Sequence, residues 1–172
     1  MKKPSPILFF LALAGTWLLD QATKYAVVMH IPWEEGNPTY HFAGENRPIA
    51  IIDNFLYLVH ITNEGAAWGI LAGQTYLLSS IAVLALAAMW FFRSHLGFST
   101  KLGQFTLGIF AGGVLGNLFD RVYYGHVIDF IDVHLPLINY RWPAFNIADC
   151  GICVGVTIYI ISVLFFQKDD KK

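Results

Sequence analysis

Asp129, in GHVIDFIDVH, and Asp149, in FNIADCGICVGV, stand on either side of a short loop that must fold back before the last apolar stretch begins. Two carboxylates held close cannot both ionise easily, so one keeps a proton while the other serves as a base. A water between such a pair is deprotonated as it attacks a carbonyl, and the protonated partner hydrogen-bonds the developing oxyanion. The chemistry is hydrolysis of the aspartic-protease kind, if the two acids meet.

What would bring them together is a set of membrane helices. WPAFNIADCGICVGVTIYIISVLFF reads as a membrane helix with an acid at its entrance. Four segments, about 7–31, 69–92, 102–119 and 147–166, are long enough to cross roughly 30 Å of hydrocarbon at 1.5 Å per residue. The chain has 172 residues, 56% hydrophobic and 13% charged, with mean hydropathy +0.52, too apolar for an ordinary soluble domain. The expected fold is all-α and polytopic, four transmembrane helices forming one domain over 1–172. The one β element expected is a small ribbon in the first outer loop, where PIAIIDNFLYLVHIT has two β-rich runs around Asp53 and Asn54. WEEGNPTYHFAGENRP before it reads as loop. MKK ahead of LALAG resembles a secretory signal, but the apolar run continues through TWLLDQATKYAVV, which favours an uncleaved span.

Lysine and arginine set the expected orientation. Lys2, Lys3, Arg93, Lys101, Lys168, Lys171 and Lys172 fall on one side of a four-span chain, which makes that side and both termini cytoplasmic. A net charge of -1 gives no basic bias, and no nucleic-acid partner is expected.

On that topology the embedded polar groups converge at the outer leaflet. Asp20 and Lys24 lie in the outer half of span one, Asn63 and Glu64 precede span two, Asn117, Asp120 and Arg121 end span three, and Asn146 and Asp149 open span four. Ionisable groups in membrane segments are costly and usually mark a functional interior. Simpler roles stand beside the functional one. Asn146 and Asp149 fit an N-cap with an acid at N3, and the i,i+4 spacing of Asp20 and Lys24 fits an ion pair. Arg121 is expected to neutralise Asp20 or Asp120. Gly108, Gly112 and Gly116 would let a neighbouring helix approach closely. Cys150 and Cys153, in CGIC, read as small buried side chains, and Trp33, Tyr123, Tyr124, Tyr140 and Trp142 as interfacial anchors. His126 and His134 flank Asp129, but their spacing matches no metal-ligand pattern.

DQATK, NEGAAWG, GGVLGNLFDR, VIDF and FNIAD occur in the order and spacing of the lipoprotein signal peptidase (signal peptidase II) family, and the resemblance covers nearly the whole chain. It implies that Asp129 and Asp149 are the catalytic dyad, with Asp20, Lys24, Asn63, Gly65, Asn117, Arg121 and Asn146 supporting or contacting substrate. It implies no metal or organic cofactor. The implied substrate is a prolipoprotein carrying diacylglyceryl on its lipobox cysteine and cut just before it, in the inner membrane of a bacterium, by a monomer surrounded by membrane lipid. A long first outer loop around Glu34 to Pro48, and Cys150 where a small non-thiol residue is usual, depart from the family pattern. A small transporter would also place acids and a lysine in its helices. Spans two and four, however, offer no acid, base or histidine in their inner halves. A membrane scaffold would leave the polar cluster without a role.

Overall fold

A computed structural model of the chain describes residues 5–31 and 48–166. Four helices follow the apolar stretches: α1 (Ile7–His30), α2 (Thr75–Phe92), α3 (Lys101–Tyr123) and α4 (Ile147–Phe166). Leu11 and Leu18 on α1, Leu84 and Phe91 on α2, and Ile160 and Leu164 on α4 all point outward. Apolar faces outside and polar groups inside reverse the pattern of a soluble bundle and suit a hydrocarbon solvent. α2, α3 and α4 are long and apolar enough to cross a membrane.

Helix α3 is the hub because its glycines let two neighbours reach its backbone. A Cβ at Gly112 would stand 2.6 Å from the Leu13 carbonyl of α1, and one at Gly113 would stand 2.4 Å from the Ala148 carbonyl of α4. The packing role expected of Gly108, Gly112 and Gly116 is what these contacts give: Gly108 and Gly112 meet α1, and Gly116 meets both Asp20 and Ala148. At one end of the bundle Phe9, Met89, Leu107 and Ala111 form an apolar cluster; at the other, Val27 of α1 and Ile31 just past its end pack on Ile128 and Phe130 of a sheet.

The sheet corrects the expected architecture. The hairpin around Asp53 and Asn54 is present, as β1 (Ile49–Ile52) and β2 (Leu56–Asn63), with Asn54 in the left-handed region at φ 59°. It is not confined to the first outer loop. A second hairpin, β3 (Val127–Leu135) and β4 (Tyr140–Phe145), completes a four-stranded antiparallel sheet in the order β1-β2-β3-β4. β3 pairs Asp129 with Ile61, so the hairpin before α2 and the one before α4 are joined at the candidate dyad.

Helix boundaries also move. α2 begins at Thr75 rather than 69, because Gly69, Leu71 and Gly73 take φ values of 70°, 60° and 77°, which no α-helix accepts. Ahead of α2, a tight turn over Ala67–Gly69 holds Trp68 in the left-handed region at φ 57°. α3 continues past 119 to Tyr123, carrying Asp120 and Arg121 in helical register. The loop expected around Glu34 to Pro48 lies, except for Pro48, outside the described residues, as do Lys2, Lys3, Trp33, Arg47, Lys168, Lys171 and Lys172.

Candidate active site

The sheet ends of α1, α3 and α4 enclose a fully buried ionic cluster. Lys24 Nζ lies 2.9 Å from Asp20 Oδ2 and 2.7 Å from Asp120 Oδ2. The expected Asp20–Lys24 pair is therefore present, with Asp120 as a second counter-ion. Isolated buried charges are strongly disfavoured, so the remaining lone pairs need donors. They have them: Asp20 Oδ1 accepts from the Ala148 amide at 2.8 Å, and Gln21 Nε2 donates to Asp120 Oδ1 at 2.9 Å and to Asp20 Oδ2 at 3.1 Å. Gln21 was not among the sequence candidates, although it sits inside DQATK. Its i+1 position beside Asp20 was the available signal.

Next to this cluster, three asparagines connect the two candidate carboxylates. Asp129 projects from β3, and Asp149 from the first turn of α4. Asn146 caps α4 as expected: the Asp149 amide donates to Asn146 Oδ1 at 2.9 Å, and the Asn146 amide donates to Asp149 Oδ2 at 3.1 Å, a reciprocal capping box. With its own Nδ2, Asn146 reaches Asp129 Oδ1 at 2.7 Å. Asn63 Nδ2 donates to Asp129 Oδ2 at 2.9 Å, and Asn117 Nδ2 donates to Asp149 Oδ1 at 2.7 Å. Every oxygen of both carboxylates thus accepts an amide hydrogen. Asp129 is 3% exposed while Asp149 is half-buried, so the pair opens to one side. Burial, reinforced by the charge of Asp149, pushes the Asp129 carboxyl up to about 7, against the opposing pull of Asn63, Lys24 and Asn146.

Gly65 and Arg121 belong to the same network. The Gly65 amide donates to Asn63 Oδ1 at 2.9 Å, and Arg121 Nη2 donates to the Gly65 carbonyl at 2.8 Å. Arg121 does not pair with Asp20 or Asp120. Lys24 already occupies both, and the guanidinium turns from α3 toward the segment before α2 instead. All nine residues singled out from the sequence, Asp20, Lys24, Asn63, Gly65, Asn117, Arg121, Asp129, Asn146 and Asp149, are linked by hydrogen bonds or ion pairs at this end of the bundle.

Outside it, Asp132 pairs with Arg141. His134 bonds Asn54, and no group of three His, Cys, Asp or Glu side chains suited to a metal occurs among the described residues. The cysteines are not both buried: Cys150 is half-buried and Cys153 exposed, since that side of α4 faces away from α3. Trp142 meets Trp68 edge-on at 5.6 Å and Tyr140 at 6.4 Å, an exposed aromatic group flanking the site.

Fold and site together define a helical membrane protein with an acid–amide centre at one end of its bundle. Two solved bacterial membrane enzymes share this fold. One has a TM-score of 0.76 at 30% identity over 95% of this chain and 93% of its own; the other has 0.73 at 30% over 92% and 94%. The family model described as Signal peptidase (SPase) II matches residues 12–165. The lipoprotein signal peptidase of Ralstonia nicotianae is 42% identical over 90% of this chain and 83% of its own length. That of Geobacillus thermodenitrificans is 36% identical over 96% and 94%. The chain belongs to the signal peptidase II family and is a bacterial membrane peptidase.

Proposed function

We propose that this peptidase removes signal peptides from prolipoproteins by aspartic catalysis, with Asp129 and Asp149 as the dyad. The observation that carries the reading is the convergence of the two carboxylates on one asparagine, Asn146, which donates to both. Burial pushes the Asp129 carboxyl up to about 7, so near neutral pH Asp129 can hold the proton that the reaction needs. Asp149 takes a proton from a water as its oxygen bonds to the scissile carbonyl carbon. The Asp129 hydroxyl donates to the oxyanion; collapse of the tetrahedral adduct expels the amine, which takes up a proton from the dyad.

The substrate is a prolipoprotein bearing diacylglyceryl on its lipobox cysteine, cut just before that residue. Its acyl chains keep the scissile bond near the membrane surface, which is where a dyad at a helix end must meet it. α1 is the fourth span: its Asp20 and Lys24 are paired inward, while Leu11, Leu18 and Leu19 face out. Arg93 and Lys101 flank the α2–α3 connection and favour a cytoplasmic position for it. The sheet and dyad then lie at the outer leaflet of the inner membrane, with both termini inside. Residues 1–172 act as one domain and as a monomer in membrane lipid.

Purified protein in lipid nanodiscs should cleave a diacylglyceryl-modified prolipoprotein before the modified cysteine and leave the unmodified precursor intact. Equal cleavage of both precursors would remove the lipid requirement, and cleavage of neither would remove the substrate.

A further inference from the structure

We propose that Lys24 is a positioning residue for the hydrolytic centre, fixing the Asn117 amide so that its nitrogen faces Asp149. The inference rests on the reading of Asp149 as a member of the dyad.

An asparagine amide has a donor end and an acceptor end of nearly the same shape, so its direction is set by its neighbours. Lys24 Nζ lies 3.0 Å from Asn117 Oδ1, and an ammonium offers hydrogens only. Asn146 Nδ2, a second donor, lies 3.2 Å from the same oxygen. Turning the Asn117 amide over would set its NH₂ against both donors and its carbonyl oxygen against Asp149 Oδ1, now 2.7 Å from Nδ2. Lys24 is itself held, since Asp20 and Asp120 grip it from α1 and α3 and it is 2% exposed.

The three asparagines differ in what orients them. Asn63 is held by the Gly65 backbone amide and Asn146 by the Asp149 backbone amide. For Asn117, the nearest donor to its oxygen is a side chain. Joining α1 to α3 does not by itself call for a buried ammonium, because Gly108 and Gly112 already bring the helices into backbone contact. A well-packed apolar group often replaces a buried ion pair without loss of stability. What an apolar group cannot supply is a hydrogen aimed at Asn117 Oδ1.

The test is a double-mutant cycle between Lys24 and Asn117, read in kcat and KM on a diacylglyceryl-modified prolipoprotein. Lys24→Met is made together with Asp120→Asn, which removes one charge of each sign, and Asp120→Asn alone is the reference. Lys24→Leu with Asp120→Asn, equally unable to donate to Asn117, is the second form should the methionine form not fold. Relative to the reference, the Lys24 change should lower kcat by about 10- to 100-fold, the range for a misdirected hydrogen bond felt in the transition state, with little change in KM. In an Asn117→Ala background the same change should lower kcat no further. Equal losses in both backgrounds, or a loss confined to the unfolding midpoint, would overturn the positioning role. Near-wild-type turnover by Asp149→Asn would instead remove the dyad reading on which it rests.

Discussion

Asn146 and Asp129 meet at 2.7 Å through the amide nitrogen of the one and a carboxylate oxygen of the other, while the oxygen of that same amide caps α4. One side chain thus starts a helix and holds a candidate catalytic acid, and the two duties are separable. Serine is as good an N-cap as asparagine but has no second arm to reach Asp129. Asn146→Ser should keep α4 capped, lower the unfolding midpoint only by what the lost buried bonds to Asp129 and the Ile128 carbonyl are worth, and lower kcat/KM by about 10- to 100-fold. Full activity in the serine variant would leave Asn146 a cap and nothing more.

Gly65 carries two of the site's hydrogen bonds on its backbone and has no room for a side chain. A Cβ there would come within 2.8 Å of the Ile70 carbonyl oxygen and 3.0 Å of the Gly69 carbonyl carbon, backbone atoms that cannot step aside locally. Gly65→Ala should displace the peptide that orients Asn63 and receives Arg121, lowering kcat/KM about 10-fold or more, in line with the loss of a buried hydrogen bond. Gly15→Ala, whose Cβ would meet nothing within 4 Å, is the matched control and should retain activity. Kinetics on the pair decide whether this peptide matters.

Asp129 links pH to stability with a definite sign. Its carboxyl rises from 3.8 to about 7 on folding, so the folded protein binds the proton more tightly than the unfolded chain. Stability from this group is fully present below about pH 4 and is lost as pH rises through 7. The wild-type thermal midpoint, measured against Asp129→Asn, should therefore fall between pH 4 and pH 8 and level off above. A midpoint difference that stays flat over that interval would mean the folded carboxyl is ionised throughout and would contradict the upward shift.

Labelling of single introduced cysteines, in a background lacking Cys150 and Cys153, tests the orientation. Leu137, 99% exposed at the tip of the second hairpin, should be reached from outside the cell as Leu137→Cys, and Ser94→Cys only from the cytoplasm. The reverse pattern would put the dyad on the wrong face for exported precursors.

Much of this was legible in the sequence, and for identifiable reasons. Membrane helices announce themselves by length and hydropathy, and FNIAD carries its cap chemistry in the residues themselves. Asp129 and Asp149 stand out because an acid near an apolar stretch has few structural uses. The second hairpin was hidden because β3 is buried at almost every position from Val127 to Asp132, so no alternation marks it, and its two acids read as loop. In β4, Pro143 argues against a strand, yet β4 lies at the sheet edge, where a missing N–H costs little. The partner of Arg121 could not be read either. Charge alone favoured the acids nearby, whereas Lys24 had already satisfied them and left the arginine to a backbone carbonyl.

The central claim is that Asp129 and Asp149 together carry out the hydrolysis. It is tested most directly by turnover of a diacylglyceryl-modified prolipoprotein by purified Asp129→Asn and Asp149→Asn, each checked for folding by its thermal midpoint and assayed with and without EDTA. The amide keeps the size of the acid but neither takes up nor gives a catalytic proton. Each variant should therefore lose cleavage entirely while staying folded, and the wild-type enzyme should be indifferent to the chelator. Substantial cleavage by either folded variant, or wild-type activity abolished by EDTA and restored by a divalent metal, would contradict the account.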